Sequence, residues 1–437
     1  MVGRPEVGTP AQLRAMNERR VLDLVLRTGA ISRAQIARET GLSKPTVSLA
    51  LARLEEAGLL REVGRTSGGR GATALLYDLD PTAGYALALD VGGQWVRGVL
   101  ADLGGRVLAR REERTLGRRG TTLVGQLGTT ARGLAADVGV SLTEVVAATL
   151  GSPGVVLPSG DHIRLAPSVP GLQQRGVVER LRLELGLDLR IENDVNLAAM
   201  AELALGWGRE TNDFVYLFIG TGVGLALMLD GVLRRGATGA AGEIGFLPLP
   251  AGGTGLGRDA EPADDRVEPA AVRRRGAFES SVAADAIVRA ARREGLGSVR
   301  TAQQVGDAAR AGHPAARRVV EREAELLAGG VAAVTAVLDP GLVVLGGGVG
   351  LGFADLLVEP LTRALRRSTP VHPRVVVSRV GADAVLQGAL ATAVITAQDA
   401  VFDSVTWQAD PAGVAERAYH AGMRIAGPHP PASEEEQ

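Results

Sequence analysis

"YALALDVGGQWVRGVLADLGGRVLARRE" (residues 85–112) reads as strand, glycine turn, strand, "DLGG" turn, strand. Short apolar runs bounded by glycine and aspartate are the mark of antiparallel hairpins. "FVYLFIGTGVGLALMLDGVLRRG" (214–236) repeats that grammar, with "GTGVG" and "LDG" at its turns. Two copies of a strand–glycine-turn–strand unit, each followed by helical sequence, predict two related α/β lobes with a cleft between them. Without Cβ atoms the turn backbone can approach an anion, and successive N–H groups converge on its oxygens. Asp90, Gly92 and Gly93 in the first turn, and Gly220, Thr221 and Gly222 in the second, are therefore candidate phosphate-loop residues. "VVLGGGVGLG" (343–352) adds a third turn with Gly346 and Gly347, where a flat ring could lie against bare backbone. One such turn alone is usually only a turn; three in order, each after an apolar strand, say more.

"RIENDVNLAAMAE" (190–202) places four polar side chains where strand and helix otherwise read as buried. Asp194 has three readings: a base that takes a proton from a substrate, an acceptor that holds a ligand, or a cap for the helix 195–205. Glu243 in "GEIG" and Glu279 in "FESS" add carboxylates in the same half of the chain. Together with Asn193 they form a set of oxygen acceptors and an amide, which suits a ligand with several hydroxyls, since each hydroxyl both donates and accepts. Taken singly, each acid reads as readily as a solvated surface residue.

The first eighty residues have a different grammar. Leu13, Met16, Val21, Leu22, Val25 and Leu26 form a helical stripe ended by Gly29. "SRAQIARETG" (32–41) is a second helix with Ser32 as its cap, and "LSKPTVSLALARLEEAGLL" (42–60) a third, capped by Ser43 with Pro45 in its first turn. The spacing Ala37, Gly41, Val47 gives a small residue at a helix crossing, a glycine at the turn and an apolar residue packing back. Strand, glycine-rich tip and strand follow, with Arg65 and Arg70 at the tip. This predicts a winged helix-turn-helix. On DNA, Ser43, Lys44, Thr46 and Ser48 would face bases or phosphates in the major groove, Arg53 the backbone, and Arg70 the minor groove. Residues 1–80 carry 12 Lys/Arg against 9 Asp/Glu, while the whole 437-residue chain has a net charge of −1.

Of these 437 residues 46% are hydrophobic and only 3% aromatic, enough for a core built mostly of Ala, Val and Leu. Zero cysteines exclude disulfides and thiolate metal ligands and suit a reducing cytoplasm. "MVGRPEVGTPAQLRAMNERR" lacks the apolar run of a secretory signal, and the apolar stretch 326–353 is broken by Asp339-Pro340 and glycines. The expectation is a cytoplasmic protein with no membrane partner.

"DVGG" (90–93), "GSPG" (151–154), "NDVN" (193–196), "GTGVG" (220–224), "AGEIG" (241–245), "FESS" (278–281) and "LGGGV" (345–349) stand in the order found in the repressor–ORF–kinase (ROK) family. The chain resembles that family over residues 11–397, and its N-terminal winged helix looks like the repressor branch. The resemblance implies an actin-like (ribonuclease H-like) two-lobed α/β fold, a sugar or sugar phosphate in the cleft, operator DNA as partner, and a homodimer or homotetramer. It implies that Asp194 is the base wherever kinase activity survives, with Asn193, Glu243, Glu279 and Ser168 as sugar contacts. Three departures follow. The Thr and basic residue usual after the first phosphate turn are Gln94 and Trp95; Phe246 replaces the family's zinc-binding His; and the Cys-rich stretch is missing. None of the five His lies between 163 and 312, so no zinc is expected. Phe246 would stack on a sugar or fill the space a metal leaves, and 251–275 would be a mobile loop. Domains are expected at 1–80, 81–193 with 380–398, and 194–379, followed by a partly disordered extension at 399–437. The function expected is a sugar-responsive regulator that needs no cofactor. The alternatives are an active kinase using Mg-ATP and a regulator answering to a non-sugar effector.

Overall fold

The computed structural model describes residues 10–66, 73–117, 119–248 and 275–406. Helices α1 (Pro10–Thr28), α2 (Arg33–Thr40) and α3 (Lys44–Glu56) precede the hairpin β2 (Leu60–Arg65) and β3 (Leu75–Leu79), with β1 (Ile31–Ser32) pairing on β3. The helix ends have local causes. Ser32 Oγ accepts the Gln35 N–H, Gly41 ends α2 at φ 71°, and Ser43 Oγ accepts the Thr46 N–H. Val21, Leu22, Val25, Ile36, Val47, Leu51 and Leu54 close the core of this winged helix-turn-helix. Arg70 lies outside the described residues.

The first lobe is a sheet of β4 (Tyr85–Val91), β5 (Trp95–Asp102), β6 (Val107–Arg114), β7 (Val145–Ser152) and β10 (Leu189–Asn193), in the order β10-β7-β4-β5-β6. The short strands β8 (Val155–Val156) and β9 (Ile163–Arg164) form a separate ribbon. Strands β4 to β6 run antiparallel, while β7 and β10 extend the sheet in parallel. Helices α4 (Gly120–Val138) and α5 (Val177–Leu185) cover one face through Leu123, Leu127, Leu134 and Leu181.

The second lobe repeats the plan with β11 (Phe214–Ile219), β12 (Val223–Leu229), β13 (Val232–Leu233), β14 (Leu342–Gly346) and β15 (Arg374–Val377), in the order β13-β12-β11-β14-β15. Again an antiparallel meander is extended by parallel strands. One face is covered by α7 (Ala277–Val282), α8 (Ala284–Arg293), α9 (Ala302–Arg310), α10 (Pro314–Leu338), α11 (Gly347–Gly352) and α12 (Ala354–Ser368). The two sheets correspond to the two repeated stretches of sequence.

Two helices lie between the sheets: α6 (Asp194–Leu205) and α13 (Ala384–Thr406). On α13, Leu386, Ala389, Leu390, Ala393, Val394 and Ala397 recur at helical spacing and pack on Ala86, Ala88, Val99 and Ala101 of the first sheet. Leu197 of α6 joins that core, whereas Val195, Ala198 and Ala199 pack on Phe214, Tyr216 and Met228 of the second sheet. The expected divide between 193 and 194 therefore falls at the start of a helix that both lobes share. At Gly388 a Cβ would lie 1.9 Å from the Leu197 carbonyl oxygen, so α6 and α13 touch backbone to backbone there. The segment Gly381–Asp403 has a mean hydropathy of 1.3 and is long enough to cross a membrane by composition alone, but it is spent on this internal packing.

The helix α13 also runs past the expected boundary at 398. Phe402 is 5% exposed and belongs to the winged-helix core, and Arg19 of α1 binds Asp399 at 2.5 Å while its guanidinium sits 5.4 Å from the Phe402 ring. Residues 407–437, with the tail expected to be disordered, lie outside the described residues.

Candidate functional site

Between the lobes lies a cavity of about 1180 Å³, and all three glycine turns border it. The junction at 190–202 forms one wall, and its polar residues divide by role. Glu192 is 5% exposed. It binds Arg235 at 2.7 Å through Oε2 and accepts from Asn196 Nδ2 at 2.8 Å through Oε1. Asn193, not Asp194, caps α6: its Oδ1 accepts the Asn196 N–H at 3.1 Å, and its Nδ2 donates to the Gly154 carbonyl at 2.9 Å. Both ends of the Asn193 amide thus hold the fold together, while Asn193 still borders the cavity where a sugar contact was expected. Asp194, at the first helical position, has its carboxylate tied only to local backbone, to the Val195 N–H at 2.8 Å and to its own N–H. It borders the cavity with Asn193 and Asn196, and of the four it has no partner beyond its own turn.

Asp90 faces the same cavity from the end of β4. Burial first, and then the charge of Asp194, push its carboxyl up to about 7, against the pull of Arg97. Burial likewise raises Asp194 to about 7. Glu243 borders the cavity and is raised by burial and by the neighbouring charge of Glu279. Ser168 borders it as well, on the loop after β9. Glu279 is less free than the sequence suggested. Its Oε2 accepts the Val223 N–H at 3.1 Å, and its Oε1 accepts from Arg275 Nε at 2.8 Å.

Arg275 escaped the sequence reading, although it stands four residues before Glu279. Its guanidinium also binds Asp285 at 2.8 Å and donates to the Thr221 carbonyl at 3.1 Å, so it straps the Glu279 carboxylate to the second glycine turn. Arg97 was missed too. The hairpin register sets Arg97 opposite Asp90, and their charged atoms lie 3.7 Å apart, with Glu112 3.3 Å from the same guanidinium. Strand pairing was the signal that could have found it.

The third glycine turn needs one correction. Gly347 borders the cavity at φ 78°, where a Cβ would lie 2.5 Å from the Ile219 carbonyl oxygen. Gly346 is buried behind it, against the Tyr216 hydroxyl, and is a packing residue rather than a phosphate-loop residue. Gly92, Gly93, Gly220, Thr221 and Gly222 do border the cavity. Phe246 is 41% exposed and stands apart from the residues that line it, so it neither stacks in the cleft nor fills a buried hole. The segment expected as a mobile loop is described only at Arg275. Among the described residues no group of His, Cys, Asp and Glu is clustered to hold a metal ion.

On the winged helix, Lys44 is exposed at the start of α3. Ser43 and Thr46 share a 2.7 Å hydroxyl contact, and Ser48 accepts from Arg33 Nη1 at 3.1 Å while donating to the Lys44 carbonyl. Arg33 is exposed and joins this surface from α2. Arg53 instead binds Glu18 of α1 at 3.1 Å. Glu18 is only 7% exposed, so its carboxylate needs that cation, while Arg53 itself stays exposed.

The ROK family matches residues 86–395, and a winged helix-turn-helix DNA-binding family matches residues 17–61. The chain is similar to the xylose repressor of Bacillus spizizenii, 25% identical over 54% of this chain and spanning 61% of that relative's length. The structure of a ROK hexokinase from Thermus thermophilus is 30% identical, with a TM-score of 0.57 over 72% of this chain and 99% of its own. A ROK transcriptional regulator homologous to the E. coli MLC protein is 20% identical and shares the fold with a TM-score of 0.69, over 91% of this chain and 98% of its own. With the two repeated lobes, the glycine turns around one cleft and a family match over residues 86–395, the chain belongs to the ROK family.

Proposed function

We propose that the chain is a sugar-responsive transcriptional repressor whose cleft binds a sugar and whose winged helix binds operator DNA. The observation that carries this reading is α13. Ala384 and Val385 at its start border the cavity, and Phe402 near its end is part of the winged-helix core. One helix, about 35 Å long at 1.5 Å per residue, joins the ligand site to the DNA-binding unit. A ligand that favours one arrangement of the lobes then biases the winged helices of a dimer toward or away from half-site spacing, by no more than its differential affinity for the two arrangements. The similarity to a xylose repressor supports the same reading.

The intact Asp194 and the Gly220–Gly222 turn favour a second reading, an active sugar kinase. The first turn departs from the family's phosphate pattern. Trp95 borders the cavity where the family places a basic residue, and Arg97 lies 3.7 Å from Asp90. Phosphoryl transfer depends on positioning and charge neutralisation, so the loss of that basic residue weighs against catalysis.

The test is operator binding with and without sugar, in the wild type and in Asp194→Ala. The expected outcome is a variant that binds operator normally and no longer responds to the sugar that releases the wild type. Loss of operator binding by the ligand-free variant would make Asp194 a structural residue and remove the central support for the reading.

A further inference from the structure

We infer that the cleft contains a second subsite, built on Trp95, and that the effector is a disaccharide rather than a free monosaccharide. The inference rests on the reading of the cleft as a sugar site and names the class of sugar.

Trp95 opens β5 directly after the first glycine turn and borders the cavity half-buried. The turn is rigid: the Gly92 N–H donates to the Trp95 carbonyl at 2.8 Å, and Thr115 binds Gln94 and Gly92 through its N–H and hydroxyl. Trp95 pairs across the sheet with Arg114, whose guanidinium lies over the indole 4.1 Å from its centre. That cation covers one face of the ring and holds its orientation, and Trp95 borders the cleft.

A second apolar group borders the cavity from the loop after β9. Leu165 is held at φ 56°, a left-handed conformation that leucine rarely adopts, with 44% of its surface exposed, and it borders the same cavity. A strained backbone that exposes an apolar side chain to a ligand cleft is a feature of ligand clamps. Pro167 and Ser168 follow on the same loop, and the loop touches the turn: a Cβ at Gly93 would lie 3.1 Å from the Ser168 carbonyl oxygen. Trp95, Leu165 and Pro167 thus form an apolar wall beside the polar set of Ser168, Asp194 and Glu243.

A sugar ring has two kinds of surface, hydroxyls around its rim and C–H groups on its faces. One ring can seat its rim among Ser168, Asp194 and Glu243. The apolar wall has no use for that rim and fits the face of a second ring, linked through a glycosidic oxygen. At the Asp90 and Asp194 end of the cleft a phosphorylated sugar fits less well, because a dianion would lie beside those carboxylates, and Arg97 is already shared between Asp90 and Glu112.

The experiment is calorimetric titration of the full chain with glucose, xylose, maltose, cellobiose, xylobiose and glucose 6-phosphate, in the wild type, Trp95→Ala and Trp95→Phe. At least one disaccharide should bind the wild type about tenfold or more tightly than its own monosaccharide. That gap should close in Trp95→Ala and survive in Trp95→Phe. Equal affinity for monosaccharide and disaccharide in the wild type overturns the subsite, as does a sugar phosphate that outbinds every disaccharide. So does a Trp95→Ala variant that weakens both classes alike. The wild-type ratio decides even if Trp95→Ala fails to fold. Binding of no sugar at all would overturn the sugar-site reading itself, whereas monosaccharide binding without the gap would overturn the subsite alone.

Discussion

Asp194 and Asp90 face one cavity, and burial holds both carboxyls near 7, well above the value each would have in the unfolded chain. Between about 4 and 7 the folded protein therefore binds more protons than the unfolded one, and ligand-free stability falls as pH rises through that window. Sugar binding should run the other way. A hydroxyl donates to the ionised carboxylate of Asp194, so affinity should rise as pH rises through 7 and level off once Asp194 is ionised. Calorimetric affinity across a pH series, in the wild type and in Asp194→Asn, measures this. An affinity that is flat or falls with pH in the wild type would remove Asp194 from the ligand. Asp194 itself was legible in sequence because a polar residue at a strand–helix junction stands out against apolar neighbours. The partners that decide the roles around it were not. Asn193 is occupied by Gly154, Glu279 by Arg275, and Arg53 by Glu18, and only the second of these pairs is close in sequence. A residue's exposure can be read from its helical stripe, but the buried carboxylate that claims its charge cannot.

The elements show the same division. The two meanders were legible because strand, turn and strand are local patterns, repeated in "YALALDVGG" and "FVYLFIGTG". The reach of α13 was not, because what stabilises its last turns is α1, nearly four hundred residues away. That helix has a testable consequence. Phe402 is 5% exposed within the winged-helix core, so Phe402→Ala should cost about 3–5 kcal/mol of stability. On the same helix Ile395 is 56% exposed, and Ile395→Ala should change stability by less than about 0.5 kcal/mol. Denaturant unfolding measures both, and operator binding with and without sugar reads the coupling. Phe402→Ala should bind sugar as the wild type does while its operator complex responds weakly to it. An unchanged sugar response in a folded Phe402→Ala protein would show that the signal bypasses the end of α13.

At the scale of the molecule, the cleft sets oxygen acceptors suited to hydroxyls beside a first glycine turn that lacks the family's basic residue. Asp194, Ser168 and Glu243 border it unspent, while at the first turn Trp95 is backed by Arg114 and Asp90 is paired with Arg97. The α6–α13 pair lies between both lobes, so a ligand gripped by Asp194 at the start of α6 bears on the packing of each sheet. Binding to the folded state alone stabilises it by about 2.7 kcal/mol when the ligand stands at a hundred times its dissociation constant. The right sugar should therefore raise the melting temperature clearly. Mg-ATP should add nothing to that shift, because Trp95 stands at the first turn where the family has a basic residue. Melting curves over a sugar panel, each with and without Mg-ATP and each repeated after incubation, make the measurement. An ATP-indifferent shift that persists on incubation belongs to a sensor. A shift that Mg-ATP enlarges, or that fades as the sugar is consumed, belongs to a kinase, and would mean that the cleft holds a nucleotide without the family's basic residue at the first turn.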